Sequence, residues 1–309
     1  MATLRDLRRR IASIKSTQKI TKAMELVAAA KMRRAQAAME ASRPYSEGIT
    51  RVLANLASKN LEATHPFLQQ REGHPTDQDP RGPRARRKAL ILITADRGLC
   101  GGLNTNAIRA ANRFIRAEAT PPKLVTVGRK GRDFFRRFAT LSSANRLDLV
   151  ADASMLPDRP KIDEILPAVT VAMDEFLGGG VDEVWMLYSR YVNAASQVPT
   201  LVRLIPPAMP ATAGAEDHGP EPLYEFEPSP DAVLERLLPR YVEALVYSAV
   251  LENQASFQAA QMTAMRSASD NAGELIKDFT LVANKLRQAV ITKELMEIVG
   301  GAEALAQAS

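Results

Sequence analysis

Two stretches at opposite ends of the chain lack helix-breaking residues over an unusual length. Residues 3–43 contain no Pro or Gly, and residues 231–299 contain only Pro239 and Gly273. At about 1.5 Å per residue these stretches would form helices of roughly 60 and 100 Å. An ordinary globular domain does not need helices of that length. The sequence therefore predicts two long terminal helices that pair as an antiparallel coiled coil.

The ends of both helices carry recognisable signals. Thr3, with Asp6 three residues later, resembles a capping box, and Ser229 followed by Pro230 is a typical start for the second helix. Proline removes a backbone donor and clashes with the preceding turn, so we expect Pro44 to kink or end the first helix. For the same reason we expect a kink or a separate first turn at Pro239.

The apolar residues of the first helix follow heptad spacing with one predicted irregularity. They begin with alternating steps of three and four, as a coiled-coil seam requires: Leu4, Leu7, Ile11 and Ile14. Continuing through Thr17 and Ile20 to Met24, Val27 and Lys31 adds an extra step of three, which predicts a stammer. In the second helix, "SASDNAGELIKD" (267–278) is rich in small residues, which predicts close approach of another helix there.

Charge is distributed unequally between the two ends. Residues 1–44 carry eleven Lys and Arg against three Asp and Glu, a net charge of +8, whereas the whole chain carries +6. Residues 231–309 carry seven Lys and Arg against ten Asp and Glu, a net charge of −3. This complementarity favours pairing of the ends over nucleic-acid binding as the explanation of the basic stripe.

The middle of the chain has the alternation of a mixed α/β domain. "ALILITA" (89–95) and "KLVTVG" (123–128) predict strands that are each followed by a helix. A helix near 161–177 precedes two further predicted strands, "VDEVWMLYSRYV" (181–192) and "QVPTLVRLI" (197–205). The predicted fold is α/β: a long antiparallel coiled coil of the N- and C-terminal helices with an inserted Rossmann-like α/β domain.

We divide the sequence accordingly. The predicted segments are an N-terminal coiled-coil helix (1–68), an exposed loop (69–88), the inserted α/β domain (89–228) and the C-terminal coiled-coil helix (229–309). A second polar stretch, 206–222, also predicts a loop.

Several kinds of function find little support in the residues. No apolar run reaches the roughly 18 residues of a membrane helix, so the chain is not expected to span a bilayer. The Arg-rich N-terminus continues into the helix without a cleavage site, so we interpret it as mature sequence. With Cys100 as the single cysteine, no intrachain disulfide can form, and we expect that thiol to be inert.

The candidate catalytic and binding motifs are weak. "DRGLCGGLN" (96–104) lies between a predicted strand and helix but matches neither GxGxxG nor the P-loop, so a tight turn is favoured over a nucleotide site. His65, His74 and His218 lie in polar stretches without the neighbours of a metal site. "RGPRARRK" (81–88) is basic but lacks the interleaved aromatic residues typical of single-strand binding.

Three regions together resemble a known family. They are "ATLRDLRRRIASIKSTQKITKAMELVAAAKMRRAQ" at the start, "TADRGLCGGLNTN" in the middle and "NAGELIKDFTLVANKLRQAVITKELMEIVGGAEAL" at the end. The chain resembles, over effectively its whole length, the gamma subunits of F-type (proton-transporting) ATP synthases of bacterial type. It departs from the usual "NKARQ" motif at Leu286, and Cys100 alone excludes the two-cysteine switch of plant-type chloroplast members.

The resemblance implies a non-catalytic central-stalk rotor. Such a subunit transmits torque between the proton-driven c-ring and the catalytic beta subunits, and so governs ATP synthesis and proton flow. The implied partners are a hexamer of alpha and beta subunits around the coiled coil, the epsilon subunit and the c-ring. No cofactor, metal, catalytic residue or nucleic acid is implied. The expected location is the cytoplasmic face of the bacterial plasma membrane, with membrane contact only through the c-ring.

The resemblance also implies contact residues. Met24 resembles a position that faces the lever segment of a beta subunit. A second set resembles residues that engage the catch loops of the beta subunits: Arg287, Gln288, Thr292 and Glu294. The apolar end of the helix is expected to turn as a bearing inside the hexamer: Leu295, Ile298 and Val299.

Two other classes of protein stay open from the residues. A dinucleotide-dependent α/β enzyme would bind a nucleotide tightly as an isolated chain. A nucleic-acid-binding coiled coil would use the basic stripe, and its binding to duplexes would weaken steeply with salt.

Overall fold

The computed structural model describes residues 3–59, 65–69, 71, 86–141, 147–207 and 229–307. Most of the predicted loop 69–88 and of the stretch 206–222 lies outside these ranges, as do His74 and His218. The division of the sequence into four segments therefore stays a prediction.

The helices and strands alternate in the middle of the chain, between two long terminal helices. The helices are α1 (Leu4–Lys59), α2 (Leu103–Ala117), α3 (Arg129–Leu141), α4 (Leu166–Leu177) and α5 (Pro230–Gln307). The strands are β1 (Lys88–Ile93), β2 (Lys123–Val127), β3 (Leu149–Ala153), β4 (Glu183–Tyr191) and β5 (Gln197–Ile205). Short 3₁₀ turns occupy Pro66–Leu68 and Ile162–Glu164.

The strands form one mixed sheet in the order β3-β2-β1-β4-β5. Strands β1 to β4 are parallel, and β5 pairs antiparallel with β4 at an edge. Pro199 lies in that edge strand, where a missing backbone donor is tolerated. The Rossmann-like α/β prediction is thus confirmed. Strand β3 was not predicted from the sequence, because "LVADA" is short and has no fully buried position.

The central strands form the core of this sheet. Leu90, Ile91 and Leu92 are fully buried, and neighbouring residues of β1 belong to opposite faces of the sheet. One face packs on α4 and on parts of α1 and α5, and the other packs on α2 and α3. A strand covered on both sides is apolar at consecutive positions, which is why "ALILITA" is uninterrupted.

The chain divides into two compact units. We call Met1–Ala28 with Met262–Ser309 the helical unit, and Ala29–Gln261 the α/β unit. Helices α1 and α5 contribute to both units, and each runs through its internal proline, Pro44 or Pro239, as one assigned helix. Neither proline ends its helix, contrary to one of the outcomes predicted from the sequence.

The α/β unit is tied together at the end of β1. Both oxygens of Asp96 accept backbone N–H groups: Oδ1 from Arg129 (2.7 Å) and Met155 (3.0 Å), and Oδ2 from Leu156 (2.9 Å). Since Arg129 is the first residue of α3, the carboxylate lies at the positive end of that helix. One side chain therefore connects the loop after β1, the start of α3 and the loop after β3.

Candidate functional site: the seam and free end of the terminal helices

In the helical unit, the seam of α1 is a regular heptad. A series of its less exposed positions alternates in steps of three and four: Leu4, Leu7, Ile11, Ile14, Gln18, Thr21, Glu25 and Ala28. Met24 is also half-buried and lies beside this series, next to Glu25. The predicted stammer is therefore wrong. Thr17 is exposed, and Ile20 and Val27 are 57% and 55% exposed, so these three lie outside the seam. The polar Gln18, Thr21 and Glu25 occupy the positions between Ile14 and Ala28.

The seam of α5 has the same spacing. A series of its less exposed positions takes alternating steps of four and three: Met265, Ser269, Ala272, Ile276, Phe279, Ala283 and Leu286. Ala264, Ala268 and Gly273 beside this series are also half-buried. Contacts between Gln18 and Ser269 and between Glu25 and Arg266 show that the residue numbers run in opposite directions along the two helices. The terminal helices therefore pair as an antiparallel coiled coil, as the sequence predicts.

Small residues bring the two helices together near Gln18. The side-chain Nε2 of Gln18 donates to the backbone oxygen of Ser269 at 3.3 Å. A Cβ atom at Gly273 would lie 3.0 Å from the same nitrogen, which is tighter than ordinary packing. The absence of a side chain at Gly273 therefore leaves room for Gln18 to reach the backbone of the other helix. This confirms the predicted role of the small-residue stretch.

A buried carboxylate crosses the seam one heptad further along α1. Glu25 is 5% exposed and accepts from Lys22 Nζ and Arg266 Nε, both at 3.0 Å. These hydrogen bonds, from Lys22 and then Arg266, lower the pKa of the Glu25 carboxyl below its usual range. Glu25 therefore stays ionised at neutral pH, and a hydrogen-bonded ion pair joins the helices.

Each charge in this ion pair is opposite in sign to the net charge of the terminal region that carries it. It uses an acidic residue of the basic helix and a basic residue of the acidic helix. Among the described residues of the helical unit, no ion pair joins a Lys or Arg of α1 to an acidic residue of α5. The ends do pair, but the predicted attraction between their net charges is not expressed as contacts. Basic side chains of α1 are exposed instead: Arg5, Arg8, Arg9, Arg10, Lys15 and Lys19.

The last part of α5 extends past the seam. Leu286 is the last half-buried position among the side chains that the structure describes, and every residue from Arg287 to Gly300 is exposed. The four predicted catch residues, Arg287, Gln288, Thr292 and Glu294, and the three bearing residues, Leu295, Ile298 and Val299, all lie here. The bearing residues are 57%, 68% and 58% exposed, respectively. We call residues 287–300 the free end of α5.

The catch and bearing residues share neighbouring stripes of the free end. Gln288, Thr292, Leu295 and Val299 recur at intervals of four, three and four, which places them on one side of a helix. Arg287, Glu294 and Ile298 follow an adjacent side. The free end is thus polar at its beginning and apolar beyond, on the same surface.

Met24 belongs to a different level of the coiled coil. It is half-buried and neighbours Glu25, which contacts Arg266. Arg287 lies 21 residues beyond Arg266, or about 30 Å along α5. The structure therefore does not bring Met24 together with the catch residues, and any contacts they make are separate.

The loop 96–104 is held by side chains of its own. Asn104 Oδ1 accepts from the backbone N–H of Ala95, and its Nδ2 donates to the carbonyl of Arg97. Cys100 is 3% exposed, and burial raises the pKa of its thiol, which disfavours the reactive thiolate. The loop is a tight strand-to-helix turn, as predicted.

The described residues offer no metal centre. Within these ranges, no group of three or more His, Cys, Asp or Glu side chains is placed to hold an ion. His65 accepts the backbone N–H of Phe67 at the start of a 3₁₀ turn, which is a structural role. Within the same ranges, the helices include none that combines the length and the low polarity needed to cross a bilayer.

Sequence reasoning missed Gln18, Glu25, Arg266 and Ser269 as determinants of the seam. Counting the heptad onward from Ile14 at steps of four and three would have found Gln18, Thr21 and Glu25. The apolar character of Ile20 and Val27 instead favoured the wrong register.

Comparisons with known proteins agree with the geometry. The sequence matches the ATP synthase family over residues 3–305. It is 45% identical to the ATP synthase gamma chain of Heliobacterium modesticaldum over 99% of this chain and 100% of that one. It is also 43% identical to the ATP synthase gamma chain of Nitrosococcus oceani, with the same coverage.

Solved structures share the fold. A chain in the Euglena gracilis mitochondrial ATP synthase structure, with OSCP, F1 and c-ring in rotational state 3, matches with a TM-score of 0.62. That match is 22% identical and covers 98% of this chain and 94% of that one. A chain from the central stalk and c-ring of the Tetrahymena thermophila mitochondrial enzyme matches with a TM-score of 0.56 at 23% identity, covering 81% and 99%. With a family match along nearly its whole length and an antiparallel seam between its two ends, this chain belongs to the ATP synthase gamma chain family.

Proposed function

We propose that this protein is the rotating central-stalk subunit of a proton-driven ATP synthase. In this role it transmits torque between a membrane ring of c-subunits and the catalytic beta subunits, and performs no ATP chemistry itself. The observation that carries the proposal is the free end of α5, an exposed helical segment with a polar beginning and an apolar end in a member of the gamma chain family.

A partner protein would bury the apolar side chains that are exposed on the free end. Leu295, Ile298 and Val299 are each more than half exposed on a helix without a covering element among the described residues. A ring of alpha and beta subunits that encloses the helix would bury them and form a sleeve. Contacts spread over small and aliphatic side chains favour sliding, because binding hot spots are enriched in Trp, Tyr and Arg.

The seam supports the transmission of torque. A pair of helices joined at a regular heptad resists bending and twisting more than one helix does. Polar cross-helix contacts at Gln18 and Glu25 also specify the register, since a slip would leave the buried Glu25 charge without Arg266. Catch contacts at Arg287, Gln288, Thr292 and Glu294, together with a lever contact at Met24, would give beta subunits places to push against.

The proposed partners are alpha, beta and epsilon subunits and the c-ring. The proposed location is the cytoplasmic face of the bacterial plasma membrane, where the chain is peripheral and reaches the membrane only through the c-ring. The bacterial gamma chains of Heliobacterium and Nitrosococcus, at 45% and 43% identity, support this location.

Removal of the free end tests the proposal. We expect a chain that stops at Leu286 to co-purify with alpha, beta and epsilon subunits but to lose most ATP-driven proton pumping in inverted vesicles. Single-molecule rotation should show reduced torque. Full coupled ATP synthesis by the shortened chain would contradict the assignment of the free end.

Point variants separate the catch from general helix stability. Thr292→Ala and Glu294→Gln should lower coupling, whereas Lys293→Gln, an exposed neighbour that pairs only with Glu297 among the described residues, should not. Equal effects at all three positions would argue against specific catch contacts. The purified full chain should show no ATP hydrolysis on its own.

A further inference from the structure

A cavity of about 330 Å³ lies within the α/β unit, between α1, the loop after β3 and α5. Its size falls at the lower end of the range for small-molecule sites, about 300–1,000 Å³. Its lining residues are Lys31, Arg34, Ala35 and Ala38 of α1, Pro157, Asp158 and Arg159 of the loop, and Leu251, Gln254 and Gln258 of α5. The proposed rotary function assigns no role to it.

Basic groups surround the cavity. Lys31 Nζ pairs with Asp158 Oδ2 at 2.7 Å, which balances one of three positive charges. Arg34 and Arg159 are exposed, and neither has an ion-pair partner within the described residues. The cavity therefore has two guanidinium groups in excess, and a guanidinium offers a planar fork of donors that suits phosphate oxygens.

The side of the cavity formed by α5 adds an unpaired acceptor. Gln258 is 3% exposed, and its Oε1 is buried without a hydrogen-bond partner among the described residues. A buried amide oxygen without a donor is costly, so a ligand hydroxyl or amine that reaches it would bring a gain. Ala35, Ala38 and Leu251 supply an apolar wall beside it.

We propose that this cavity binds a small phosphate monoester, with the phosphate at Arg34 and Arg159 and a hydroxyl group at Gln258. The excess positive charge favours a dianionic group over a neutral one. The unpaired acceptor and the apolar wall favour an organic portion with hydroxyl groups over the bare ion. Lys31 would exchange part of its contact with Asp158 for the phosphate.

Isothermal titration of the full chain tests the proposal, with ribose 5-phosphate as the probe at constant ionic strength. We expect saturable binding with one site per chain. Ribose, which lacks the phosphate, should not bind measurably, and inorganic phosphate should bind at least tenfold more weakly than ribose 5-phosphate. Absence of saturable binding, or equal affinity for inorganic phosphate, would overturn the proposal.

Matched variants locate the site. Arg34→Gln should weaken binding about tenfold, since it removes a charge-assisted contact. Arg33→Gln makes the same change of charge at an exposed position that does not line the cavity, and should leave affinity within a factor of two. Gln258→Leu should also weaken binding of ribose 5-phosphate while leaving the weak binding of inorganic phosphate unchanged. Equal effects of the Arg33 and Arg34 variants would refute this site.

Discussion

The sheet of the α/β unit and the seam of the helical unit are built on different principles. At the centre of the sheet, Leu90, Ile91 and Leu92 are fully buried, and Phe176 packs edge-on against Phe67 at 5.8 Å between ring centroids. In the middle of the seam, the positions that face the other helix are instead polar: Gln18, Thr21 and Glu25. Burial of apolar area stabilises the first region, whereas directional contacts set the register of the second.

The difference indicates that the sheet mainly supplies stability, whereas the seam mainly fixes the register of the two helices. An apolar core tolerates many packings of similar volume, but it gives a large free energy per residue. A polar seam gives less free energy, but it penalises a shifted register because charges and amides would lose their partners. A helix pair that must keep its register along its length benefits from the second arrangement.

The largest expected effect compares the same substitution in the two regions. Phe176→Ala should lower the free energy of unfolding by about 3–5 kcal/mol, because it leaves a cavity in a closed core. Phe279→Ala, at a half-buried seam position, should cost no more than about 2 kcal/mol. Chemical denaturation of both variants measures the two changes in the free energy of unfolding. Equal losses would contradict the proposed difference between the sheet and the seam.

A backbone constraint at Gly128, directly after β2, should have the next largest effect. Gly128 has a φ of +103°, and a Cβ atom there would lie 2.1 Å from the carbonyl oxygen of Thr94. Gly128→Ala should therefore cost about 3 kcal/mol in unfolding experiments. Gly98→Ala is the control, since its Cβ would find only the end of Lys130 at 3.8 Å, and it should be close to neutral.

Two glycines of α5 sharpen the role of close approach in the seam. Gly300→Ala should stabilise the helix by about 1 kcal/mol, since nothing lies within 4 Å of its Cβ position. Gly273→Ala should stabilise the helix by less than this or destabilise it, because the new methyl group would displace the Gln18 amide from Ser269. Hydrogen exchange along α5 distinguishes them, and equal gains would show that the seam does not depend on the Gln18 contact.

The smallest expected effect is the change in stability on acidification that Glu25 contributes. Its pKa is lowered in the folded chain, so its contribution to stability is complete above the ordinary value of 4.5 and is lost as pH falls through the lowered pKa. Hydrogen exchange in α1 should therefore quicken on acidification more in the wild-type chain than in Glu25→Gln. Identical pH profiles would show that the ionised Glu25 does not stabilise the seam.

Much of the fold could be predicted because long-range periodicity and uninterrupted apolar runs carry it. The two terminal helices, strands β1, β2, β4 and β5, and the tight turn at 96–104 follow from such patterns. Strand β3 escaped prediction because a five-residue edge strand depends on its neighbour β2 for its hydrogen bonds. Pro44 and Pro239 do not end their helices, since packing on other elements can outweigh one lost hydrogen bond.

The seam was harder to predict than the sheet because its residues are polar. A rule that follows apolar side chains selects Ile20 and Val27, which are exposed, and passes over Gln18 and Glu25. The half-buried position of Gln18 depends on Ser269 and Gly273, some 250 residues away in the sequence. Asp96 presents the same difficulty, because its three backbone partners come from the start of α3 and from the loop after β3, both distant in the sequence.

Among the described residues, the charged contact across the seam takes its carboxylate from α1. The basic side chains that remain unneutralised by α5 and project into solvent are Arg5, Arg8, Arg9, Arg10, Lys15 and Lys19. They form a row of positive potential whose range is set by the Debye length, about 8 Å at physiological ionic strength. Negatively charged surfaces will consequently be captured faster by this helix in dilute salt, and added salt will slow the encounter without loosening the helix pair itself.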